Sequence, residues 1–381
     1  MKFNTKLIHG GISEDRNTGA VSMPIYKAST FHQKELGKPG WEYSRTGNPT
    51  RQALEELMAD LSDGVAGFAF SSGSAAIHVV LSLFSAGDHI VVGNDIYGGT
   101  FRLINQVMKR FGVEFTTVDT TDLAAVEAAF QSNTKALYLE TPTNPLLRVS
   151  DIEALSKIAK QHGAHVIVDN TFATPYLQKP LDLGADIVVS SATKYLGGHS
   201  DLIAGIAVTN DKELAEQIGF LQNSIGSVLD PEDAWLLQRG IKTLGARMRV
   251  HEENTQALFK VLKDDQHVAK IYYPGDPASS SYELAKRQMR GFGAMISFEL
   301  KPEYSPKQFI EQLKVISLAE SLGGVESLIE VPAIMTHGSI PRAERIKDGI
   351  QDNLIRMSVG IEDQEDLVTE LQNALNNLVE A

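Results

Sequence analysis

Apolar positions along this chain change their spacing in a regular way. From about residue 56, short β-branched and aliphatic runs alternate with stretches whose apolar residues recur every three or four positions. Phe68-Ala69-Phe70, His89–Gly93, Val113–Val118, Ala136–Leu139, Val166–Val168 and Ile187–Val189 have the length and composition of buried strands. Helical stretches fall between them: one opening near Ser74, one at about 100–111, and one marked by Ile152, Leu155, Ile158 and Ala159. Repeated strand-then-helix units predict an α/β fold with a doubly wound, mostly parallel sheet. Ligands of such sheets bind outside the carboxyl ends of the strands.

Residues 1–55 show no such pattern. Pro24, Pro39-Gly40 and Gly47-Asn48-Pro49 punctuate them, as in an extended arm that packs elsewhere. Pro231–Asn254 reads as a long helical connection. Beyond it Gly293–Leu300 alternates like a strand, while 306–314 and 364–378 have helical spacing. The expected organisation is an arm over 1–55, an α/β domain over 56–240 and a smaller α+β domain over 241–381.

Composition narrows the field. A chain of 381 residues can bury a large core, and its net charge of −13 opposes nonspecific attraction to nucleic acid. It has no cysteine, which removes disulfides, thiolate metal sites and a thiol nucleophile and suits a reducing cytoplasm. The start, Met1–Lys6, lacks the apolar core of a secretory signal. The longest apolar stretch, Ala75–Phe84, is too short to span a bilayer. A cytoplasmic protein with neither membrane nor nucleic acid as partner is expected.

Candidate chemistry gathers at the predicted strand ends. Lys194 lies in S-S-A-T-K-Y-L-G-G-H-S (190–200), and Asp169 ends the apolar run V-I-V-D. Alone, each is an ordinary surface residue. Together they suit pyridoxal 5′-phosphate (PLP), which needs an amine for its aldehyde and an acid for its ring nitrogen. Ser72-Gly73-Ser74 opens a predicted helix, where free N–H groups favour a phosphate, although Ser72 is equally an ordinary cap. Ser191 and Thr193 bring hydroxyls to the same place. Tyr97 follows another strand and is either a packing residue or a ring that stacks on a heterocycle. Tyr43 and Arg45, in the arm, could reach a phosphate, including one in a neighbouring subunit. Arg356 sits amid apolar residues of a predicted strand and needs a carboxylate, internal or from substrate. His162, His165, His199 and His337 show no metal-ligand spacing, and no Gly-x-Gly-x-x-Gly, P-loop or Gly-x-Ser-x-Gly pattern occurs.

These residues fall in strings that resemble a known family, the fold type I PLP-dependent enzymes of cysteine and methionine metabolism. The strings are Tyr43-Ser44-Arg45, Tyr97-Gly98-Gly99-Thr100, Glu140-Thr141-Pro142-Thr143-Asn144-Pro145, Val168-Asp169-Asn170-Thr171 and the 190–201 run. The likeness extends from Thr5–Gly11 to Ser358–Asp363. It implies a mostly parallel sheet with helices on both faces and a smaller C-terminal α+β domain. It also implies that Lys194 forms the Schiff base, Asp169 pairs with the pyridinium and Tyr97 stacks on the ring. Gly73, Ser74, Ser191 and Thr193 would hold the phosphate, with Tyr43 and Arg45 from an adjacent subunit of a homotetramer. Asn144, Ser321 and Arg356 would line the substrate-carboxylate end.

Leu318–Leu328 and Pro332–His337 resemble the γ-lyase and γ-synthase branch, with Glu320 where relatives place a glutamate facing the distal amino group of cystathionine. The implied reaction is α,γ-elimination of L-cystathionine to L-cysteine, 2-oxobutanoate and ammonia, with hydrogen sulfide release as a side elimination. γ-Replacement on an O-acylhomoserine by cysteine is the alternative. A catalytically silent phosphate-ligand binder stands apart from both. Gly99, where methionine γ-lyases usually carry cysteine, argues against that activity. Ser74 departs from the methionine or leucine of many relatives, a small matter if the contact is a backbone N–H.

Overall fold

The computed structural model describes residues 1–380 except 12, 13, 16, 39 and 339, so the turn expected at Pro39 lies outside the described residues. A seven-stranded sheet forms from β1 (Ala66–Phe70), β2 (His89–Gly93), β3 (Glu114–Val118), β4 (Thr134–Glu140), β5 (His165–Asp169), β6 (Ile187–Ser191) and β7 (Gly205–Thr209). Its order is β1-β7-β6-β5-β4-β2-β3. The run from β3 through β6 is parallel, and β7 is antiparallel to both β6 and β1.

Side-chain alternation accounts for the helices on both faces. Ile90, Val92, Ile167, Ile187 and Val189 pack against the helix Gly73–Leu81. Their neighbours Val91, Leu137, Leu139, Val166 and Val168 pack on the other side, against Ile152, Leu155 and Ala159. The inner strands β2, β5, β6 and β7 are largely buried on both faces, which is why they read as continuous apolar runs, whereas the edge strand β3 is partly exposed.

A five-stranded sheet follows, built from β8 (Val268–Tyr272), β9 (Met295–Leu300), β10 (Ser317–Leu318), β11 (Leu328–Glu330) and β12 (Leu354–Ser358) in the order β10-β11-β12-β9-β8. Its core includes Phe298, Phe309, Ile355, Met357 and Leu371. The predicted connection over 231–254 is two helices, Pro231–Ile241 and Leu244–Asp264, interrupted at Lys242 and Thr243. The stretch 100–111 is likewise not one helix: an α-turn at Gly98–Arg102 continues as a π-turn and then a 3-10 turn ending at Phe111. Phe111 is followed by Gly112 at a φ of 81°.

The beginning of the chain is more ordered than its pattern implies. Phe3–His9 is helical, Leu7 is buried, and Lys6 pairs with Asp60 at 2.9 Å and with Asp63 at 3.1 Å. A second helix starts at Pro49, inside the expected arm, capped by Asn48 and with proline in its first turn. Among the described residues no helix is long and apolar enough to cross a membrane.

Candidate active site

A cavity of about 260 Å³ opens at the carboxyl ends of the parallel strands and is closed by residues of the smaller sheet. Lys194 lies in the connection from β6 to β7, strands that pair directly, so both feet of its loop are fixed. Its Nζ donates to Ser321 Oγ at 2.7 Å. Burial, and then the Arg356 charge, push the amine down to about 8. A lysine so held keeps a larger neutral, nucleophilic fraction near physiological pH than a solvated one.

Asp169 ends β5 and is 6% exposed. Its Oδ1 accepts from the Thr171 N–H at 3.0 Å and hydroxyl at 2.5 Å, and Oδ2 from the Tyr138 hydroxyl at 3.4 Å. Burial raises its proton affinity, against the pull of those hydrogen bonds. No basic side chain forms an ion pair with it among the described residues. A buried carboxylate in that position suits a cationic ring nitrogen.

The helix Gly73–Leu81 aims its first N–H groups into the cavity beside Ser74, Ser191 and Thr193. A Cβ at residue 73 would meet Ser191 Cβ at 2.9 Å, so glycine is required by the close approach of the two backbones. Ser72 caps this helix through Ala75 N–H at 3.0 Å and also borders the cavity. Tyr97 is 43% exposed, and its backbone N–H donates to Glu140 Oε2 at 2.8 Å. A Cβ on Gly99 would fall 2.2 Å from the Tyr97 ring, so this placement of the ring excludes any side chain there.

Arg356 is 2% exposed and fully engaged on one side. Nη1 donates to Asn144 Oδ1 at 2.8 Å and pairs with Glu330 at 3.1 Å, and Nη2 donates to Ser321 O at 3.0 Å. Its Nε has no partner among the described residues. Glu320, Ser321, Asn144 and Arg356 line the same cavity. Ser321 adopts a φ of 89°, a left-handed conformation that costs about 1–3 kcal/mol and persists when its surroundings fix it.

Tyr43 and Arg45 are not part of this cavity. Tyr43 is 46% exposed, and Arg45 donates to Asn223 O at 2.6 Å and to Asn223 Oδ1 at 2.9 Å. Glu140 lines the cavity although its sequence motif gave it no role. The available signal was the same as for Asp169, an acidic residue ending an apolar strand run, L-Y-L-E beside V-I-V-D. Among the described residues no group of three His, Cys, Asp or Glu is arranged for a metal.

A helix start suited to an anion, a buried acid with no basic partner among the described residues and a lysine whose pKa is lowered fit pyridoxal 5′-phosphate. The sequence bears this out: a family described as Cys/Met metabolism PLP-dependent enzyme matches residues 4–376. The chain belongs to that family. Among these PLP-dependent enzymes it is 62% identical to a Lactococcus lactis subsp. cremoris protein named cystathionine beta-lyase, over 98% of each chain. It is 55% identical to a Bacillus subtilis protein named cystathionine gamma-lyase, over 99% of this chain and 100% of the other. A crystal structure of cystathionine gamma-lyase from Lactobacillus plantarum complexed with L-serine superposes with a TM-score of 0.97. It is 62% identical and covers 99% of both chains. Family members with closely similar sequences thus carry different reaction names.

Proposed function

We propose that this chain catalyses α,γ-elimination of L-cystathionine to L-cysteine, 2-oxobutanoate and ammonia. The observation that supports this most is the convergence of the Lys194 amine, the Asp169 carboxylate and the Arg356 guanidinium on one cavity. When bound, PLP supplies an aldehyde that bonds amines and an electron-poor ring that accepts the charge left by a departing proton. Lys194 anchors the cofactor, Asp169 keeps its ring nitrogen protonated, and Tyr97 stacks on the ring and assists the first amine exchange. Gly73, Ser74, Ser191 and Thr193 hold its phosphate. Arg356, oriented by Asn144 and Ser321, binds the substrate α-carboxylate, and Glu320 faces the distal ammonium. Lys194, once displaced, takes the proton from the substrate α-carbon. A second proton leaves the β-carbon, the γ-carbon–sulfur bond breaks, and cysteine departs with a proton on its sulfur; water then releases the remaining four-carbon skeleton as 2-oxobutanoate and ammonia.

The second reading is β-elimination, giving homocysteine, pyruvate and ammonia, which the 62% identity to the Lactococcus protein favours. Incubation with cystathionine alone decides between them. Predominant 2-oxobutanoate with cysteine is expected, and predominant pyruvate with homocysteine overturns the proposal. Accumulation of cystathionine from O-acylhomoserine and cysteine, with slow cleavage, would make the chain a γ-synthase. A preparation that stays colourless with added PLP would leave a silent binder.

The proposal includes a homotetramer in the cytoplasm, in which Tyr43 and Arg45 complete a neighbour's site. Their absence from the lining of their own cavity supports this, as do the exposed apolar residues Val21, Leu36 and Trp41 along the arm.

The Lys194 amine also gives a pH expectation. Capture of PLP by the apoprotein requires the neutral amine, whose fraction grows about tenfold per pH unit below its pKa. The capture rate, followed at the visible band, should rise with pH and level off near pH 8. A rate still climbing steeply at pH 10 would show an ordinary solvated lysine.

A further inference from the structure

Glu140 and Asp169 are the last residues of neighbouring parallel strands and stand opposite each other in register. Register partners in a parallel pair put their side chains on the same face, with strands about 4.8 Å apart. Both line the cavity, at 4% and 6% exposure. The positive charge acting on Glu140 is Arg356, which is already committed to Glu330. Asp95, behind them, adds a third buried carboxyl, raised by burial to about 6. Tyr97 and Tyr138 border the pair, with Thr171 beside Asp169 and Lys194 across the cavity. Two carboxylates sharing so dry a site do not both ionise.

The proton has a definite seat. Asp169 accepts hydrogen bonds from Thr171 and Tyr138, which favour its charged form, whereas Glu140 accepts one, from the Tyr97 N–H. Burial first, and the Asp169 charge second, raise Glu140 well above the usual carboxyl range.

We infer that Glu140 is a proton store for the cofactor site, holding one proton in the apoprotein and yielding it when the ring nitrogen docks against Asp169. The inference rests on the role proposed above for Asp169. The balance is simple: the Glu140 carboxyl loses a proton, the ring nitrogen gains it, and none is drawn from water. The docked cation then faces two carboxylates, so Glu140 also helps to keep that nitrogen charged. Glu140 acts through Asp169 and is a positioning residue.

The test is calorimetric titration of apoprotein with PLP at alkaline pH, in buffers of different ionisation heat, which counts protons taken up per site. Glu140→Gln keeps an acceptor for the Tyr97 N–H but stores no proton. It should take up about one proton more per site than the parent, so its affinity relative to the parent should fall about tenfold per pH unit. Glu140→Asp should restore the parent behaviour. Equal uptake by parent and Glu140→Gln overturns the inference. A second readout needs no variant: the infrared band of a protonated carboxyl, present in the apoprotein, should disappear on PLP binding. No such loss also overturns it. Asp169→Asn separates the two levels. If it leaves the visible-band pH titration unchanged, the role of Asp169 itself fails. If it shifts that titration while Glu140→Gln does not, the store alone fails.

Discussion

Replacing Lys194 by alanine will leave a folded protein whose turnover is lower by several orders of magnitude, because the proposed anchor and proton carrier disappear in one side chain. The fold should survive for local reasons. The amine makes a hydrogen bond to Ser321 and, among the described residues, no ion pair, and the backbone of its loop is fixed independently. Arg247 reaches in from the helix Leu244–Asp264 to donate to Tyr195 O at 2.8 Å, and it also donates to Gly240 O at 2.9 Å. Thermal unfolding near that of the parent, with turnover on cystathionine close to background, is the expected pair of results. Near-normal turnover would remove Lys194 from the chemistry.

Arg356→Leu should have the next largest effect and should show two separable losses. Substrate binding loses its carboxylate partner, and KM should rise about a hundredfold or more, as when one member of a buried charge pair is truncated. The fold loses as well, because Glu330, 1% exposed, is left without its cation, at a cost of about 3–5 kcal/mol. Adding Glu330→Gln should restore much of the melting temperature and leave KM high. A double variant that recovers both would show that Arg356 supports the fold and does not meet substrate.

Much of the large sheet was legible because buried parallel strands are unmistakable as apolar runs: His89–Gly93 coincides with β2, and Ile187–Val189 lies within β6. β7, Gly205–Thr209, carries a similar apolar run, Ile206-Ala207-Val208, but it is broken by Gly205 and has no helical stretch before it to complete a strand–helix unit; its antiparallel pairing is not encoded in spacing. The small sheet was less visible for a related reason. β10 and β11 are two and three residues long, shorter than any window in which alternation can be counted.

The site divides the same way. Lys194, Asp169 and Arg356 stood out as charges in apolar or glycine-rich surroundings. Glu140 carries the same mark, an acid at the end of the apolar run L-Y-L-E, although the proline-containing segment that follows it hides its register with Asp169. Ion pairs between neighbouring strands, such as Glu330 with Arg356, depend on strand pairing and have no linear signal.

The two sheets contribute different kinds of group to the shared cavity. The residues proposed to carry the electronic chemistry, Lys194 and Asp169, hang from the seven-stranded sheet, whereas Glu320, proposed to face the part of the substrate that differs between amino acids, belongs to the five-stranded unit with Ser321 and Arg356. Selection can therefore rework substrate preference through the short segments around β10 and β11 while the catalytic apparatus is inherited intact. In such a lineage, reaction names drift faster than architecture does.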